Sequence, residues 1–319
     1  MKLIIQIPCL NEAQTLHIAL GDLPKEIPGI DVIEVLVIDD GSRDDTVAVA
    51  RKHGVQHVVG FQQNQGLARA FMLGLESCLA RGADIIVNTD ADNQYNGADI
   101  EKLVRPILDG KADFVIGARP IASIEHFSPV KKLLQHLGSS IVRRVSGTDV
   151  ADAPSGFRAI SREVALMLNV FNGYTYTLET IIQAGQHNMT VVSVPIRVNG
   201  DLRPSRLVRS IPNYIKRSMV TMFRIFIVYQ PLKFFLTVSI FPLLAGLVIG
   251  GRFLYYALVT GNGSGHVQSL ILAAVLLIVG FLTFLLAILG DLLSVNRRLL
   301  EELQQRERKR RLGASSRTE

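Results

Sequence analysis

Cysteine is nearly missing from this chain of 319 residues. Only Cys9 and Cys78 occur, with no CxxC and no Cys/His cluster, which argues against a disulfide framework and a structural zinc site. The first ten residues lack the features of a secretory leader. Their apolar run is short, Gln6 and Pro8 interrupt it, and no small-residue cleavage site follows. The front of the chain is therefore expected to stay in the cytoplasm. Lys and Arg are absent from Thr260–Gln268, and acids are absent from Leu202–Lys233. The front half also lacks the basic, aromatic-rich face that nucleic-acid binding needs, so nucleic acid is not expected as a partner.

What is present is unevenly placed. The chain is 48% hydrophobic and carries a net charge of +6, with a mean hydropathy of +0.29. Most of the apolar excess follows residue 230. Phe234–Val259 and Leu270–Leu289 are each long enough to cross a hydrocarbon core of about 30 Å at about 1.5 Å per residue. Seven Lys or Arg precede them in Leu202–Lys233, and Arg297, Arg298, Arg306, Arg308, Lys309, Arg310 and Arg311 follow. The positive-inside rule then places both flanks in the cytoplasm and the Gly-rich loop outside. The expectation is a two-span hairpin over 231–293, followed by a basic cytoplasmic tail at 294–319. Arg252 falls roughly 27 Å along the first span, near the outer interface, where it either snorkels or has a role of its own. Residues 211–230 mix Lys216, Arg217 and Arg224 with Tyr, Met, Phe and Ile, as an interfacial amphipathic helix does. Pro129–Val145 reads either as a second such helix or as a solvated surface helix. The hairpin is expected to anchor the chain in the bilayer and to offer a contact for a homo-oligomer, with part of a lipid path as the alternative.

Residues 1–210 alternate short apolar runs with helical stretches. Lys2–Ile7, Val32–Ile38, Val55–Val59, Ile85–Asn88, Phe114–Gly117 and Thr190–Val198 read as strands. Glu12–Leu20, Asp44–His53 and Gly66–Arg81 read as helices. This order implies an α/β domain with a mainly parallel sheet. In such sheets ligands bind beyond the carboxyl ends of the strands. The polar clusters Asn11-Glu12, Asp39-Asp40 and Asp90-Asp92 fall at those ends, although each alone is also ordinary turn chemistry.

Asp90-Ala91-Asp92-Asn93-Gln94 carries the clearest chemistry. Two carboxylates one residue apart, after a buried strand, can converge on one divalent cation. Mg2+ or Mn2+ suits oxygen ligands completed by phosphate and water. A cation there would neutralise a departing diphosphate.

The series Ile7-Pro8-Cys9-Leu10-Asn11-Glu12, Asp39-Asp40-Gly41-Ser42, Asn64-Gln65-Gly66 and Asp90-Ala91-Asp92-Asn93-Gln94 resembles the family-2 glycosyltransferases. Within them it is most similar to the dolichol-phosphate mannose synthase and polyprenyl-phosphate glucosyltransferase group. The likeness continues through Ile116-Gly117-Ala118-Arg119 and Ser155-Gly156-Phe157-Arg158 and covers about residues 1–230. It implies a GT-A (Rossmann-like) fold and an inverting, metal-dependent transfer of a hexose from a UDP- or GDP-linked sugar to a polyprenyl phosphate. It further implies that Pro8, Asn11, Glu12, Asp39, Asp90, Ala91, Arg119 and Arg158 contact the nucleotide-sugar. Asp90, Asp92 and Gln94 match the metal cluster, with Asp92 also catalytic. Asp152 matches a candidate base, with Asp149 as its competitor.

A phosphate monoester has a second pKa of about 6, so such an acceptor needs little proton abstraction and the carboxylate can orient it instead. An anionic acceptor calls for fixed positive charge beside the bilayer. Arg203, Ser205 and Arg206 are placed to hold it, by guanidinium forks on phosphate oxygens; the alternative is contact with lipid headgroups. The same front domain occurs in processive polysaccharide synthases, but their acceptor motif requires a Trp, and this chain has none. A nonenzymatic adaptor predicts loss of the metal carboxylates, and Asp90 and Asp92 are both intact.

Overall fold

The computed structural model describes residues 1–120, 129–170, 176–200, 220, 223–224, 227–259 and 267–315. They form two compact units, one of residues 1–218 with 302–319 and one of residues 219–301.

The first unit is built on seven strands: β1 (Lys2–Cys9), β2 (Val32–Asp39), β3 (His57–Gly60), β4 (Ile85–Asn88), β5 (Phe114–Ala118), β6 (Arg158–Ser161) and β7 (Val191–Pro195). Their order in the sheet is β3-β2-β1-β4-β6-β5-β7. The helices between them are α1 (Leu16–Gly21), α2 (Thr46–Lys52), α3 (Leu67–Ala80), α4 (Ile100–Leu108), α5 (Pro129–Ser146), α6 (Arg162–Met167) and α7 (Thr177–Gln186). The central strands are nearly continuous apolar runs because helices cover both faces. Leu3, Ile5, Ile7, Val37, Ile85, Val87 and Val115 all lie in one buried core. Parallel pairing sets Cys9 opposite Asp39 and Gln6 opposite Asn88, so β1, β2 and β4 end side by side.

The sheet is mainly parallel, as expected, and three details add to that picture. Strand β6 is the exception, running antiparallel to both β4 and β5. This strand is four residues long and begins with Arg158, so no local alternation announces it; its pairing creates it. The first helix starts at Leu16, four residues after the expected Glu12. Asn11 turns to φ 54°, and the Glu12 and Ala13 N–H groups bond to Thr46 Oγ1 and Asp44 Oδ2 instead of opening a helix. Finally, the basic tail continues the second apolar helix through Ser315.

The second unit holds most of two long helices, α8 (Pro231–Val259) and α9 (Val267–Ser315). Both are long and apolar enough to cross a membrane, with mean hydropathies of 2.2 and 3.0 over their most apolar 18 residues. They pack through small residues. A Cβ added at Gly280 would lie 2.6 Å from Leu243 Cγ, and one at Gly246 would lie 2.9 Å from Leu277 Cγ. Close backbone approach of this kind is how apolar helices associate where lipid removes the hydrophobic drive. Arg252 is exposed and lies over the Tyr256 ring at 5.7 Å. The end of α9 belongs to the first unit, where Arg308 donates to the Leu168 carbonyl at 2.6 Å and pairs with Glu76 at 3.3 Å. Of the expected interfacial helix, only Val220, Phe223–Arg224 and 227–230 are described, and all of these but Gln230 are helical. Arg203, Ser205 and Arg206 lie outside the described residues.

Candidate active site

The carboxyl ends of β1 and β2 meet in a web of short bonds. Asn11 donates its backbone N–H to Ser42 Oγ at 2.9 Å and accepts from the Arg43 N–H at 2.8 Å. Its left-handed conformation suits Asn, whose side chain bonds the nearby backbone. Glu12 is buried and accepts from Thr15 Oγ1 at 2.9 Å. Asp39 accepts the Ser42 N–H at 3.0 Å through Oδ1. Asp40 accepts the N–H groups of Gln65 and Gly66 at 2.7 and 2.9 Å, which ties the Asn64-Gln65-Gly66 segment and the start of α3 to this corner. Gly41 permits that approach: its φ is 75°, and a Cβ there would lie 2.7 Å from the Asn64 nitrogen. Asn11, Glu12, Thr15, Arg43, Asp44 and Asp45 line a cleft of about 410 Å³. Pro8 sits one residue before the end of β1, opposite Ile38.

The β4 end supplies the acidic turn. Asn93 adopts φ 57°, and Asp92 Oδ1 accepts the Gln94 N–H at 3.1 Å. Ala91 is buried beneath the turn. Asp90 packs on Gly156, where an added Cβ would lie 3.2 Å from one carboxylate oxygen and 3.3 Å from the other. Burial, and then the Asp92 charge, push the Asp90 carboxyl up to about 7, while Arg119 draws it down. A carboxyl raised in this way marks a site short of positive charge. Among the described residues, no cluster of three or more His, Cys, Asp or Glu converges on one point. Those residues thus offer no closed protein cage, and the oxygen donors of Asp90 and Asp92 are of the kind that a hard divalent cation takes together with phosphate and water.

Arg119 leaves β5 beside this turn. Asp152 takes its Nε at 2.7 Å, its Nη2 at 3.1 Å and its backbone N–H at 3.2 Å. The Asp152 side chain is 1% exposed and that of Arg119 is 9% exposed. Asp152, the candidate base that the resemblance implies, thus has both its oxygens engaged by the guanidinium fork. Its competitor Asp149 is exposed.

Arg158, expected at the nucleotide-sugar, is directed into the protein interior. It is fully buried and donates to the carbonyls of Ser155, Thr177 and Ala153 and to Thr180 Oγ1 at 2.6–2.9 Å. The Phe114 and Tyr176 rings flank it at 5.6 and 5.5 Å. Burial draws its pKa down to about 10, which leaves it charged at neutral pH. Its work is to hold the Ala153–Gly156 loop against β4.

Sequence reasoning missed the buried polar layer below the acidic turn. Gln6 donates to Asn88 at 2.9 Å, and Asn88 donates to the Gly156 carbonyl and the Tyr176 hydroxyl, both at 2.9 Å. Tyr95 Oη accepts the Gly156 N–H at 3.0 Å. The available signal was polarity out of place, since Gln6 and Asn88 interrupt otherwise apolar strands.

Known proteins agree with this arrangement. The family described as Glycosyl transferase family 2 matches residues 4–166. The polyprenol monophosphomannose synthase of Mycolicibacterium smegmatis is 27% identical over 206 residues, covering 61% of this chain and 76% of that protein. The undecaprenyl-phosphate mannosyltransferase of Micrococcus luteus is 28% identical over 206 residues, covering 61% of this chain and 83% of that protein. Among solved structures, the glucosyl-3-phosphoglycerate synthase of Mycobacterium tuberculosis, in complex with Mn2+, UDP and its product, superposes with a TM-score of 0.54 at 22% identity. That match covers 69% of this chain and 79% of the other and supports a GT-A-like sheet. With nucleotide-site motifs at three adjacent strand ends and more than half the chain matched, the chain is a glycosyltransferase and belongs to glycosyl transferase family 2.

Proposed function

We propose that this enzyme transfers a hexose from a UDP- or GDP-linked donor to a polyprenyl phosphate, undecaprenyl or dolichyl, at the cytoplasmic face of a membrane, with inversion. The observation that carries the reading is the pairing of opposite charges at one end of the sheet. The under-neutralised Asp90–Asp92 turn faces the influence of Arg119, itself fixed by Asp152. Relatives named for polyprenyl-phosphate mannosyl transfer support the acceptor class, and the two apolar helices support membrane anchoring.

In this reading the β1 and β2 ends receive the nucleoside. Asn11 and Glu12 shape the cleft wall, Pro8 contributes from the end of β1, and Asp39 offers its second carboxylate oxygen to the base. Asp90 and Asp92, with Gln94 beside them, hold Mg2+ or Mn2+ together with the donor diphosphate. The bound cation supplies Lewis-acid neutralisation of the leaving diphosphate. Arg119 places fixed positive charge beside the phosphates, and Arg203, Ser205 and Arg206 receive the acceptor phosphate. An acceptor oxygen forms the bond to the anomeric carbon as the bond to the diphosphate oxygen breaks, and that electron pair leaves with the nucleoside diphosphate. Because the acceptor is already largely ionised at neutral pH, no side chain has to take its proton. Asp152 therefore acts by positioning Arg119. The catalytic unit and both termini lie on the cytoplasmic side, and the hairpin also offers a contact between copies of the chain.

The test is transfer of radiolabelled sugar in membranes, with UDP-glucose and GDP-mannose assayed separately on undecaprenyl or dolichyl phosphate. A labelled, acid-labile lipid that requires Mn2+ and disappears in Asp92→Ala is the expected result. No lipid product from a broad donor panel, despite measurable nucleotide binding, would overturn the acceptor assignment.

A further inference from the structure

The chain leaving β7 does not turn away from the sheet; it crosses the acidic turn. Val198 pairs with Tyr95 in an antiparallel bridge. The next residue, Asn199, donates its backbone N–H to the Gln94 carbonyl at 2.9 Å and its side-chain amide to the Asn93 carbonyl at 3.1 Å. Its side-chain oxygen accepts from the Asn96 amide at 3.3 Å. One residue thus engages two consecutive carbonyls of the turn in which Asn93 holds a left-handed φ of 57°, the conformation that brings Asp92 back onto the Gln94 N–H.

The crossing segment is itself pinned. Arg197 donates its backbone N–H, Nε and Nη2 to the fully buried Asp99 carboxylate at 2.6–3.0 Å. Ile196 donates to the Ala118 carbonyl at 3.0 Å, one residue before Arg119. Asn96 also caps the short helical turn at Gly97–Asp99 through its bond to the Ala98 N–H. The acidic turn, the base of Arg119 and the 196–199 segment therefore share one hydrogen-bonded girder.

We infer that Asn199 is a positioning residue for the cation–diphosphate site: its two donated hydrogen bonds hold the Asp92–Gln94 turn in the ligand-ready conformation. The inference rests on the cation reading given above and goes beyond it by assigning the support of the turn to a residue 107 positions later in the chain than Asp92. Binding at the turn and order in the 196–199 segment are then linked, because each stabilises the conformation the other requires.

The test uses the full-length protein in detergent micelles. Mn2+ affinity is followed by electron paramagnetic resonance with UDP and, separately, with GDP, and thermal melting is recorded alongside. Asn199→Ala loses the side-chain donor and keeps the backbone one, so Mn2+–nucleotide affinity is expected to fall about 3- to 10-fold, the range for a lost hydrogen bond. Asn199→Asp, nearly isosteric but unable to donate, should fall at least as far. Asn199→Gln, which keeps an amide, should recover part of the loss. Wild-type affinity in both Asn199→Ala and Asn199→Asp, with Asp92→Ala abolishing binding, would overturn the positioning role and leave the cation reading standing. Wild-type affinity in Asp92→Ala would overturn both. Should Asn199→Ala melt early, Asn199→Gln, which keeps the amide, shows whether affinity follows the donor or the melting temperature. A loss in both that scales with melting temperature and not with donor capacity counts against the inference.

Discussion

Two carboxylate sites lie at the same end of one sheet and are built in opposite ways. Asp152 is buried and fully answered, since Arg119 approaches it through three N–H groups. Asp90 is half-buried, but its largest influence after burial is another carboxylate, and its pKa is pushed up to about 7. The first arrangement holds a structure together; the second stores an unmet demand for positive charge. A charged motif is better judged by whether the protein itself neutralises it than by how many charges it contains.

Asp90→Asn should break this contrast most strongly. Transfer is expected to fall at least about 10²-fold, the scale of removing a main electrostatic stabiliser. The melting temperature of the cation-free protein should not fall, because a repulsive charge has been removed. Loss of melting temperature in scanning calorimetry would show that Asp90 is structural.

Asp152→Asn should do the reverse. It leaves the Arg119 guanidinium enclosed without its counter-charge, at a cost of about 3–5 kcal/mol, visible as an early denaturation midpoint. Asp149→Asn, at an exposed position, should leave both midpoint and transfer unchanged, and loss of transfer there would restore Asp149 as the acceptor-side carboxylate.

Gly156→Ala sharpens the contrast more gently. Its Cβ would sit 3.2 Å from an Asp90 oxygen and the Tyr176 hydroxyl, so the carboxylate must shift by a few tenths of an ångström. A several-fold rise in the Mn2+ requirement for transfer is expected, with a modest change in melting; titrating Mn2+ in the assay checks it.

The smallest effect belongs to the other end of the sheet. Burial alone would raise the Glu34 carboxyl, but bonds from Lys2 and His57 outweigh it and hold the group below its ordinary value. A depressed carboxyl contributes stability above its unfolded pKa and loses that contribution as pH falls through the folded value. The cluster is partly exposed, so the contribution is below about 1 kcal/mol. Melting curves in acid should lose a small part of their pH slope in Glu34→Gln, and an unchanged slope would remove Glu34 from the account.

The parts legible in advance were those written in local pattern. Apolar runs ending in Asn11-Glu12, Asp39-Asp40 and Asp90-Asp92 located three strand ends, and uninterrupted apolarity located α8 and the apolar part of α9. Strand β6 was not legible, because four residues beginning with Arg carry no period of their own. Nor was the inward course of Arg158, since an Arg after a Gly-Phe step reads equally as a phosphate contact or as a buried brace.

By itself, then, the sequence determined the order of the motifs, the parallel pairing that brings β1, β2 and β4 to a common edge, and the apolar lengths of the hairpin, because periodicity and turn chemistry act over a few residues. Only the tertiary structure decided which charges meet. Arg119 finds Asp152 across 33 residues and Asn199 finds Asn93 across 106. Such pairs are chosen by the sheet order that brings distant loops to one end, and by the cost of leaving any buried charge or carbonyl without a partner.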